Sequence, residues 1–416
     1  MKKRYDIAVI GGGAAGLAAA VTAAGRGRSA LLLEKEKRVG KKLLATGNGR
    51  CNYTNTAASV RDYRGGDPDF AAAALERFGP AATTAFFHDL GVLPYEEEEG
   101  RVYPLSRQAA AVLDALRFAA DRRGVETRTE TRVTAIVPEK GLFRLEAGEA
   151  SFAAKKVIIA CGGMAGPELG GCRDGYGLLA ALGHPVTDIA PSLVKIRTEN
   201  LLTRPMKGVR VLGRAVLKKR GEAVSETAGE FLFTDYGVSG IPVMQLSRSL
   251  CFEEPTAFTL ELDLLPAFSP ADLADELKKR RADLAAAPTE DFLIGMVPKK
   301  VGQVLLREAL GKRGAAAGDL TDDEILALTE TLKRFSLPVT GVLGWKEAQV
   351  TAGGAETSFF DGATMESRLV PGLYAAGEVL DIDGGCGGYN LQWAWASGRL
   401  AAEAAVSSLE KKDDSN

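Results

Sequence analysis

The beginning of the chain carries the feature that most constrains its fold. An apolar run, residues 5–10, leads into three consecutive glycines and an alanine-rich run. A second apolar run, residues 30–33, then ends in Glu34. This order predicts a strand, a tight turn, a helix and a second strand with an acid at its tip. Strand, glycines, helix and acid together indicate a dinucleotide-binding unit.

Each part of this unit has a physical role. Gly11 permits the sharp turn out of the strand, Gly13 lets a pyrophosphate approach the backbone, and Gly16 lets the helix pack closely on the strand. The phosphates are expected on the free N–H groups of the helix that starts near Ala14. Glu34 can accept hydrogen bonds from the adenosine ribose, and an acid at this position argues against a 2′-phosphate. The motif alone does not distinguish FAD from NAD.

Composition excludes several classes of protein. With 416 residues, 46% of them hydrophobic, the chain can form two or three domains. The net charge of −2 gives no global basic surface, so no nucleic-acid partner is expected. No run of about 18 apolar residues predicts a membrane span. Two distant histidines, His88 and His184, give no metal-ligand spacing, and no metal is expected.

The cysteines and the N-terminus predict a cytoplasmic protein. Five cysteines are dispersed without a C-x-x-C pair, which fits a reducing compartment better than a disulfide scaffold. Residues 1–4 and the following small apolar run imitate a secretory signal, but Asp6 and the triple glycine interrupt it.

Residues 40–52 are basic and rich in glycine, with no usable helical or alternating period. Such a loop, close in sequence to the dinucleotide unit, is expected to wrap the cofactor; the alternative is a solvated surface loop. The acidic run 96–99 is interpreted as a solvated hairpin tip, and Ser106 as the N-cap of a helix through about Arg123. Strand-like runs follow at 132–137, 143–145, 151–153 and 157–160, the last ending in a cysteine and two glycines that could touch the cofactor.

The pattern of the sequence changes at about residue 191, where strand-like runs become frequent. Runs near 209–219, 229–234 and 257–262 predict a β-rich second domain. Residues 269–334 are predicted helical, with Ser269 or Asp272 starting one helix and Thr321 opening another in a capping-box pattern. Alternation over 345–351 predicts a return to sheet.

The C-terminal part contains a second set of cofactor signals. A short strand, 372–376, ends in Gly377 and Glu378, and a glycine-rich loop feeds a helix predicted from about Leu391 to Leu409. Signals at both chain ends suit a long cofactor in an extended pose, so FAD fits better than NAD. Glu378 or Asp383 could bind ribityl hydroxyls, and the helix start near Tyr389 could face the flavin N1/O2 edge.

Here the chain resembles one bacterial flavoprotein family. Its members are labelled NAD(P)/FAD-dependent oxidoreductases or aminoacetone-oxidase-like proteins, and it includes 3-dehydro-bile-acid Δ4,6-reductase-type flavoproteins. The motifs that carry the resemblance, over essentially the whole chain, are residues 47–52, 229–234, 237–240, 364–367, 376–381 and 386–394.

The resemblance implies an α/β fold with three parts. They are a Rossmann-like FAD-binding domain split across both chain ends (1–190 and 345–416), a β-barrel-like middle domain (191–268 and 335–344) and a helical insert (269–334). It carries FAD contacts onto Ala15, Glu34, the 40–52 loop, Val133, Glu378, Asn390 and Leu391. The chain departs from the family at Ala165, Cys172 and Arg173, where the family has Ser or Thr, and this departure bears on the substrate.

The predicted cofactor-binding set combines both arguments. Its members are Gly11, Gly13, Ala14, Ala15, Gly16, Glu34, Lys35, Lys41, Lys42, Thr46, Gly47, Asn48, Arg50, Cys51, Asn52, Val133, Ala160, Gly162, Gly377, Glu378, Asp383, Gly388, Tyr389, Asn390 and Leu391.

No residue is assigned a catalytic role from sequence. Cys51 lacks a nearby partner cysteine, so dithiol chemistry is not expected. Arg50 could bind a pyrophosphate or a substrate anion, or pair with a nearby acid. Tyr103, Tyr176 and Tyr389 are possible proton donors, with core packing or stacking on flavin as the alternative.

The leading functional hypothesis is a flavoenzyme that reduces an activated C=C in a small molecule such as a steroid or bile-acid-like enone. No second dinucleotide fingerprint is present, so NADH or NADPH is expected only as a transient electron donor. An oxidase or dehydrogenase of small amines or amino ketones is one alternative. A flavoprotein that acts on RNA or binds a protein partner is another.

Overall fold

The computed structural model describes residues 3–311 and 316–413. The chain forms two compact units: Met1–Pro191 with Gln349–Asn416, and Ser192–Ala348. Each has its own hydrophobic core.

The first unit opens with the predicted strand–helix–strand. Its elements up to residue 192 are β1 (Arg4–Ile10), α1 (Ala14–Gly25), β2 (Ala30–Leu33), β3 (Thr54–Asn55), β4 (Tyr63–Arg64), α2 (Ala72–Arg77), α3 (Pro80–Asp89), β5 (Pro94–Glu96), β6 (Arg101–Pro104), α4 (Ala109–Arg122), β7 (Glu126–Arg128), β8 (Ala135–Glu139), β9 (Leu142–Ala147), β10 (Ala150–Ile159), α5 (Asp174–Ala181) and β11 (Ala190–Ser192).

The second unit is a closed barrel with helices. Its elements are β12 (Ile196–Thr198), α6 (Asn200–Thr203), β13 (Arg210–Lys219), β14 (Glu222–Phe233), β15 (Gly237–Ser239), α7 (Ile241–Leu246), β16 (Phe258–Asp263), α8 (Pro270–Asp283), α9 (Lys299–Leu310), α10 (Asp322–Lys333) and β17 (Phe335–Val342). The strand order around the barrel is β12-β15-β14-β13-β16-β17.

Local sequence explains this barrel and its helices. In β16, buried Phe258, Leu260 and Leu262 alternate with more exposed residues, the period expected of a strand with one buried face. The helix starts predicted at Ser269 and Thr321 are confirmed. The Ser269 side chain accepts a hydrogen bond from the Asp272 N–H, and Thr321 forms a capping box with Glu324.

The chain returns to the first unit for its last part. The elements there are β18 (Val350–Ala352), β19 (Leu373–Ala375), β20 (Asp383–Gly384) and α11 (Tyr389–Asp413). In the main sheet, β7, β2, β1 and β10 are parallel neighbours in that order. The end of β10 also pairs in parallel with β19, while its beginning pairs with β9 in a meander with β8. The main sheet therefore contains strands from both ends of the chain, β1 and β19. The predicted Rossmann-like fold, split across both chain ends and combined with a barrel, is confirmed.

Four local predictions are corrected. Ser106 does not cap α4, because Arg107 adopts a left-handed backbone (φ +52°) and the N-cap is Gln108. The separate strands at 151–153 and 157–160 are one strand, β10; the intervening Lys156 donates a hydrogen bond to the Ser408 Oγ at 2.6 Å instead of breaking the strand. Residues 345–349 form turns rather than a strand, and α11 begins two residues earlier than expected.

Within the described residues, no helix is long and apolar enough to cross a membrane. Residues 3–311 and 316–413 also contain no group of three or more His, Cys, Asp or Glu side chains that could hold a metal ion.

Candidate dinucleotide site

The carboxyl ends of the parallel strands meet at one edge of the main sheet. The Gly11 N–H donates to the Leu33 carbonyl at 2.8 Å, and the Ala160 N–H donates to the Ile10 carbonyl at 2.8 Å. The Ala376 N–H donates to the Ile159 carbonyl at 2.9 Å, which brings the C-terminal segment to the same edge. Predicted residues from three separate parts of the chain, including Gly11, Ala160 and Gly377, thus lie where open α/β sheets bind ligands.

The three glycines of the first turn have different surroundings. A Cβ on Gly11 (φ +104°) would lie 2.4 Å from the Ala160 carbonyl oxygen, and one on Gly16 would lie 1.8 Å from the Gly11 carbonyl oxygen. A Cβ on Gly13 would have no heavy atom within 4 Å. Gly11 and Gly16 are therefore required by the protein's own packing, whereas Gly13 faces open space that a ligand could occupy.

The N-terminus of α1 presents unused donors. Its N-cap, Gly13, makes no side-chain capping bond, and the first α-helical bond runs from the Leu17 N–H to the Gly13 carbonyl. The N–H groups of Ala14, Ala15 and Gly16 therefore point out of the helix end, where an anion is favoured.

Ala15 can contribute only its backbone to such a ligand. Its side chain is 6% exposed, and Cβ atoms placed on Gly377 and Gly398 would lie 2.9 Å from the Ala15 Cβ and 2.3 Å from its carbonyl oxygen, respectively. The two glycines allow close approach of α1 by the C-terminal segment and α11, so the Ala15 side chain is a packing contact.

Glu34 is held in place by backbone donors. Its two carboxylate oxygens accept hydrogen bonds from the Gly12 N–H at 2.7 Å and the Glu36 N–H at 2.8 Å. A carboxylate oxygen can accept more than one hydrogen bond, so the fixed group retains capacity for ribose hydroxyls.

Two lysines of the predicted cofactor-binding set, Lys35 and Lys41, interact with other groups of the protein. Partial burial opposes protonation of Lys35, but Cys172 and the nearby carboxylates of Asp174 and Glu36 outweigh it and raise the Lys35 pKa. Lys41 pairs with Glu36 at 3.0 Å. Both lysines therefore interact with acidic side chains of the protein itself.

The 40–52 loop is more regular than its sequence suggests. Residues Leu43–Gly49 form 3₁₀ turns broken by left-handed backbone at Gly47 (φ +56°) and Asn48 (φ +54°), and the Thr46 hydroxyl donates to the Leu43 carbonyl at 2.6 Å. The sequence shows no α-helical period here because a 3₁₀ turn has three residues per turn and does not produce one.

Lys42 joins this loop to the C-terminal part. Its Nζ lies 2.9 Å from the Glu378 Oε2, and the other Glu378 oxygen accepts a hydrogen bond from the Thr351 N–H at 2.9 Å. Nearby, the Tyr176 hydroxyl is buried and has no hydrogen-bond partner among the described residues. Burial, and then the charge of Glu378, raise the Tyr176 pKa, so this hydroxyl stays protonated.

The glycine-rich loop before α11 is closed by Asn390. Its Oδ1 accepts from the Gly384 N–H at 2.8 Å, and its Nδ2 donates to the carbonyls of Gly384 and Gly385 at 2.8 and 3.2 Å. The Asn390 side chain therefore shapes the loop. The first helical bond of α11 runs from the Gln392 N–H to the Gly388 carbonyl, which leaves the N–H groups of Tyr389, Asn390 and Leu391 as the available donors.

One buried acceptor in this region lacks a donor. The Asn52 Oδ1 has no hydrogen-bond partner among the described residues, and it lies 2.9 Å from the position of a Cβ on Gly388 (φ +100°). Eight other buried polar atoms of the described residues also have no partner, so this atom alone does not mark a ligand site. The open space at Gly13 and the backbone donors at the two helix starts are what make the residues present fit a dinucleotide cofactor.

The other residues of the predicted cofactor-binding set differ in their exposure to solvent. Val133 and Asp383 are 5% and 2% exposed, so their side chains face the protein interior. A Cβ on Gly162 (φ +70°) would meet no atom within 4 Å, so its backbone is accessible. Cys51 is fully buried, and burial raises the pKa of its thiol to about 12, which removes it as a redox thiol or nucleophile.

The interpretation of residues 96–99 as a solvated tip is wrong for Glu97. Its side chain is 22% exposed and pairs with Arg50 at 3.3 Å and with Arg107 at 3.1 Å. Arg50 therefore does pair with an acid. The sequence does not indicate the pairing of Glu97 with Arg107 or the bonds of Asn55 to the Glu99 and Gly387 carbonyls. For Arg107 the one signal in the sequence is an isolated arginine shortly before a helix.

Comparison with known proteins shows the family of this chain. Residues 5–404 match the family described as HI0933-like protein Rossmann domain. The chain is 38% identical over 404 residues to the 3-dehydro-bile acid delta(4,6)-reductase of Clostridium scindens, covering 96% of this chain and 98% of that protein. It is 30% identical over 408 residues to the ribosomal RNA dihydrouridine synthase of Escherichia coli K12, covering 97% and 98%.

A solved structure shares the fold. The 3-ketosteroid delta1-dehydrogenase of Sterolibacterium denitrificans aligns over 97% of this chain and 100% of its own, with a TM-score of 0.53 and 13% identity.

Proposed function

Because the chain belongs to the HI0933-like family and is an FAD-dependent oxidoreductase, we propose that it reduces a C=C bond conjugated to a carbonyl group. The substrate is a steroid or bile-acid-like enone, or another small enone, and the electron donor is NADH or NADPH. The observation that carries this proposal is the 38% identity, over nearly the full length of both chains, to a protein named as a bile acid reductase.

The accessible groups indicate which residues would hold each part of FAD. The N–H groups at the start of α1 would hold the pyrophosphate, with Gly13 leaving room for it, and Glu34 would hold the adenosine ribose. Lys42 and Glu378 would lie near the middle of the cofactor, because their ion pair ties the two cofactor-related segments together. The N–H groups at the start of α11 would face the flavin ring, where the helix dipole favours negative charge.

Bound FAD supplies hydride transfer through N5, from the reduced nicotinamide to the β carbon of the conjugated C=C. In the net reaction the α carbon would take a proton from water, and NAD(P)H would become NAD(P)⁺. The chain's part would be to fix the cofactor: the Asn390 side chain shapes the loop, and the start of α11 would donate backbone N–H groups.

Anaerobic mixing tests this function. NADH or NADPH should bleach the flavin of the holoenzyme, and an added enone should restore its colour while the enone gains two hydrogens. If neither nucleotide reduces the flavin, the reductase proposal fails. If an amine or amino ketone reduces the flavin instead, and dioxygen restores its colour with release of peroxide, the oxidase alternative replaces it.

A uridine in ribosomal RNA is a second candidate substrate. It is favoured by the 30% identity over 97% of this chain to a ribosomal RNA dihydrouridine synthase. Dihydrouridine differs from uridine by two hydrogens across a C=C conjugated to a ring carbonyl, so the reaction class would be the same. The near-neutral net charge supports the small-molecule substrate. Incubation of the reduced holoenzyme with an unmodified ribosomal RNA transcript, followed by nucleoside mass spectrometry, separates the two: dihydrouridine without enone reduction would establish the RNA substrate.

A further inference from the structure

The side chains of Asn55 and Gln392 carry the only two side-chain amide groups that are buried among the described residues, at 2% and 0% exposure. They come from opposite parts of the chain, and both lie at the junction between β3 and the start of α11. Exchanging a buried hydrogen-bonded pair for apolar groups of the same shape can be nearly neutral in stability. What such a pair adds is a fixed position for the two segments that it joins, because leaving either partner unpaired in the core is costly.

Gln392 lies in the first turn of α11 and bridges two other segments of the first unit. Its Oε1 accepts a hydrogen bond from the Thr54 hydroxyl at 2.6 Å, and its Nε2 donates to the Phe78 carbonyl at 2.6 Å. The backbones are also in close contact, since a Cβ on Gly388 would lie 2.5 Å from the Thr54 carbonyl oxygen. The helix start is therefore tied to β3 on one side and to the end of α2 on the other.

Two further hydrogen bonds hold the backbone at the helix start. The Asn55 Nδ2 donates to the Gly387 carbonyl at 3.0 Å, and the Tyr63 hydroxyl donates to the Tyr389 carbonyl at 2.9 Å. Gly387 belongs to the glycine-rich loop, and Tyr389 is the first residue of α11. Together with the Gln392 bridge, these bonds fix the backbone that presents the three available N–H groups of α11.

The position of this helix start bears on the charge state of the flavin that the site favours. Under the proposed function, the N–H groups at the start of α11 face the flavin ring. The partial positive charge of a helix N-terminus acts mainly within the first turn and weakens with distance. Reduction by two electrons gives the flavin ring a negative charge that the neutral oxidised ring lacks. A displaced helix start would therefore destabilise reduced FAD more than oxidised FAD.

We propose that Gln392 and Thr54 are positioning residues, which hold the N–H groups at the start of α11 against the flavin and so set how strongly the site favours reduced over oxidised FAD. Both residues are 0% exposed, so neither side chain can contact a bound ligand, and both act through the backbone of α11. The proposal rests on the role given to α11 in the proposed function, and it does not depend on which substrate is reduced.

The two-electron reduction potential of the bound FAD tests this role without any substrate. The FAD-loaded enzyme is reduced anaerobically together with an indicator dye of known potential. Thr54→Val keeps the shape of the side chain and removes the hydroxyl that donates to Gln392. Its preference for reduced FAD should fall about tenfold, which makes the potential about 30 mV more negative, while its affinity for oxidised FAD stays close to that of the parent. Thr54→Ser retains the hydroxyl and should keep the parent's potential.

Thr329→Val in α10 is the matched control. It also removes a buried hydroxyl, the one that donates to the Ile325 carbonyl at 2.8 Å, but it does so in the barrel unit. Its FAD potential should equal that of the parent. Gln392→Met is the second variant if Thr54→Val does not fold, because it removes both bonds of the bridge at similar size and should shift the potential in the same direction.

Three results overturn the positioning role. They are a Thr54→Val potential equal to that of the parent, an equal shift in Thr329→Val, and failure of both Thr54→Val and Gln392→Met to fold, which would make the bridge a requirement of the fold itself. The test is also separate from the proposed function. If the potential shifts as expected but the parent reduces no enone, the reductase proposal fails and the positioning role stands; if enones are reduced but the potential does not shift, the reverse holds.

Discussion

Lys42 and Glu378 are 336 positions apart in the chain, and their side chains form an ion pair with the Lys42 Nζ 2.9 Å from the Glu378 Oε2. The pair links the loop after β2 to the segment after β19 across the carboxyl edge of the main sheet. Both side chains are partly exposed, at 32% and 20%, so the pair borders open space. It therefore ties the two segments expected to hold opposite ends of the cofactor.

Replacing Lys42 should weaken FAD binding more than it weakens the fold. Lys42→Met removes a cation near the predicted pyrophosphate and leaves Glu378 without its ion-pair partner, while a partly exposed pair contributes only about 1 kcal/mol to folding. We expect FAD affinity to fall about fivefold in equilibrium dialysis. Lys207→Met, which removes the exposed pair with Asp235 in the barrel unit, is the control and should bind FAD as the parent does. Unchanged FAD affinity in Lys42→Met would contradict a role at the cofactor.

Alanine at Gly13 and at Gly16 should have opposite effects. Gly16→Ala places a Cβ 1.8 Å from the Gly11 carbonyl oxygen, so the chain should lose at least about 3 kcal/mol of stability or fail to fold. Gly13→Ala meets no atom within 4 Å and has an ordinary φ of −82°, so the apoprotein should unfold at the parent's urea midpoint. Its FAD affinity should nevertheless drop at least about tenfold, because the methyl group occupies the space assigned to the pyrophosphate. FAD binding as tight as that of the parent would place the cofactor elsewhere.

Cys51 should be chemically inert in the folded protein. Burial raises the pKa of its thiol to about 12, so almost no thiolate forms at pH 8. Peptide mapping after iodoacetamide treatment should find Cys51 unmodified in native protein and modified in urea. Cys172, which is only partly buried, is the internal control in the native sample. Native alkylation of Cys51 at the rate of Cys172 would show that the 40–52 loop opens readily.

Asp6 should make the fold sensitive to acid. Partial burial favours its neutral form, but hydrogen bonds from Lys155 and from the Ser29 N–H and hydroxyl outweigh this and hold its pKa below the ordinary value of 3.8. A depressed pKa adds stability above the unfolded-state value and loses it as pH falls through the folded-state value. Asp6→Asn should therefore be about 1 kcal/mol less stable than the parent in urea at pH 7, and this gap should close below about pH 3.8. A gap independent of pH would show that packing, not charge, accounts for the loss.

Features whose determinants are local in the chain can be predicted from the sequence. The glycines at 11, 13 and 16 and the acid at Glu34 are specified by spacing within one strand–helix–strand unit, and the caps at Ser269 and Thr321 lie within one helical turn. These features follow from backbone geometry that a short stretch of chain fixes by itself.

Contacts between residues that are distant in the chain cannot be predicted in this way. Glu97 looks like part of a solvated acidic run, yet its carboxylate meets Arg50, 47 positions away, and Arg107. Asn390 stays a predicted cofactor contact, but its sequence position does not show that its side-chain amide bonds to Gly384 and Gly385 across the loop. No local pattern reports which of several polar residues will be brought together by the sheet.

A single-turnover experiment tests the central claim most directly. The holoenzyme is reduced anaerobically, freed of excess donor, and mixed with one equivalent of a steroid enone acid while flavin absorbance is followed. The account predicts that the oxidised flavin spectrum returns in full and that one equivalent of product, heavier by two hydrogens, appears in the mass spectrum. A flavin that stays reduced until dioxygen is admitted, with no saturated product, would contradict it.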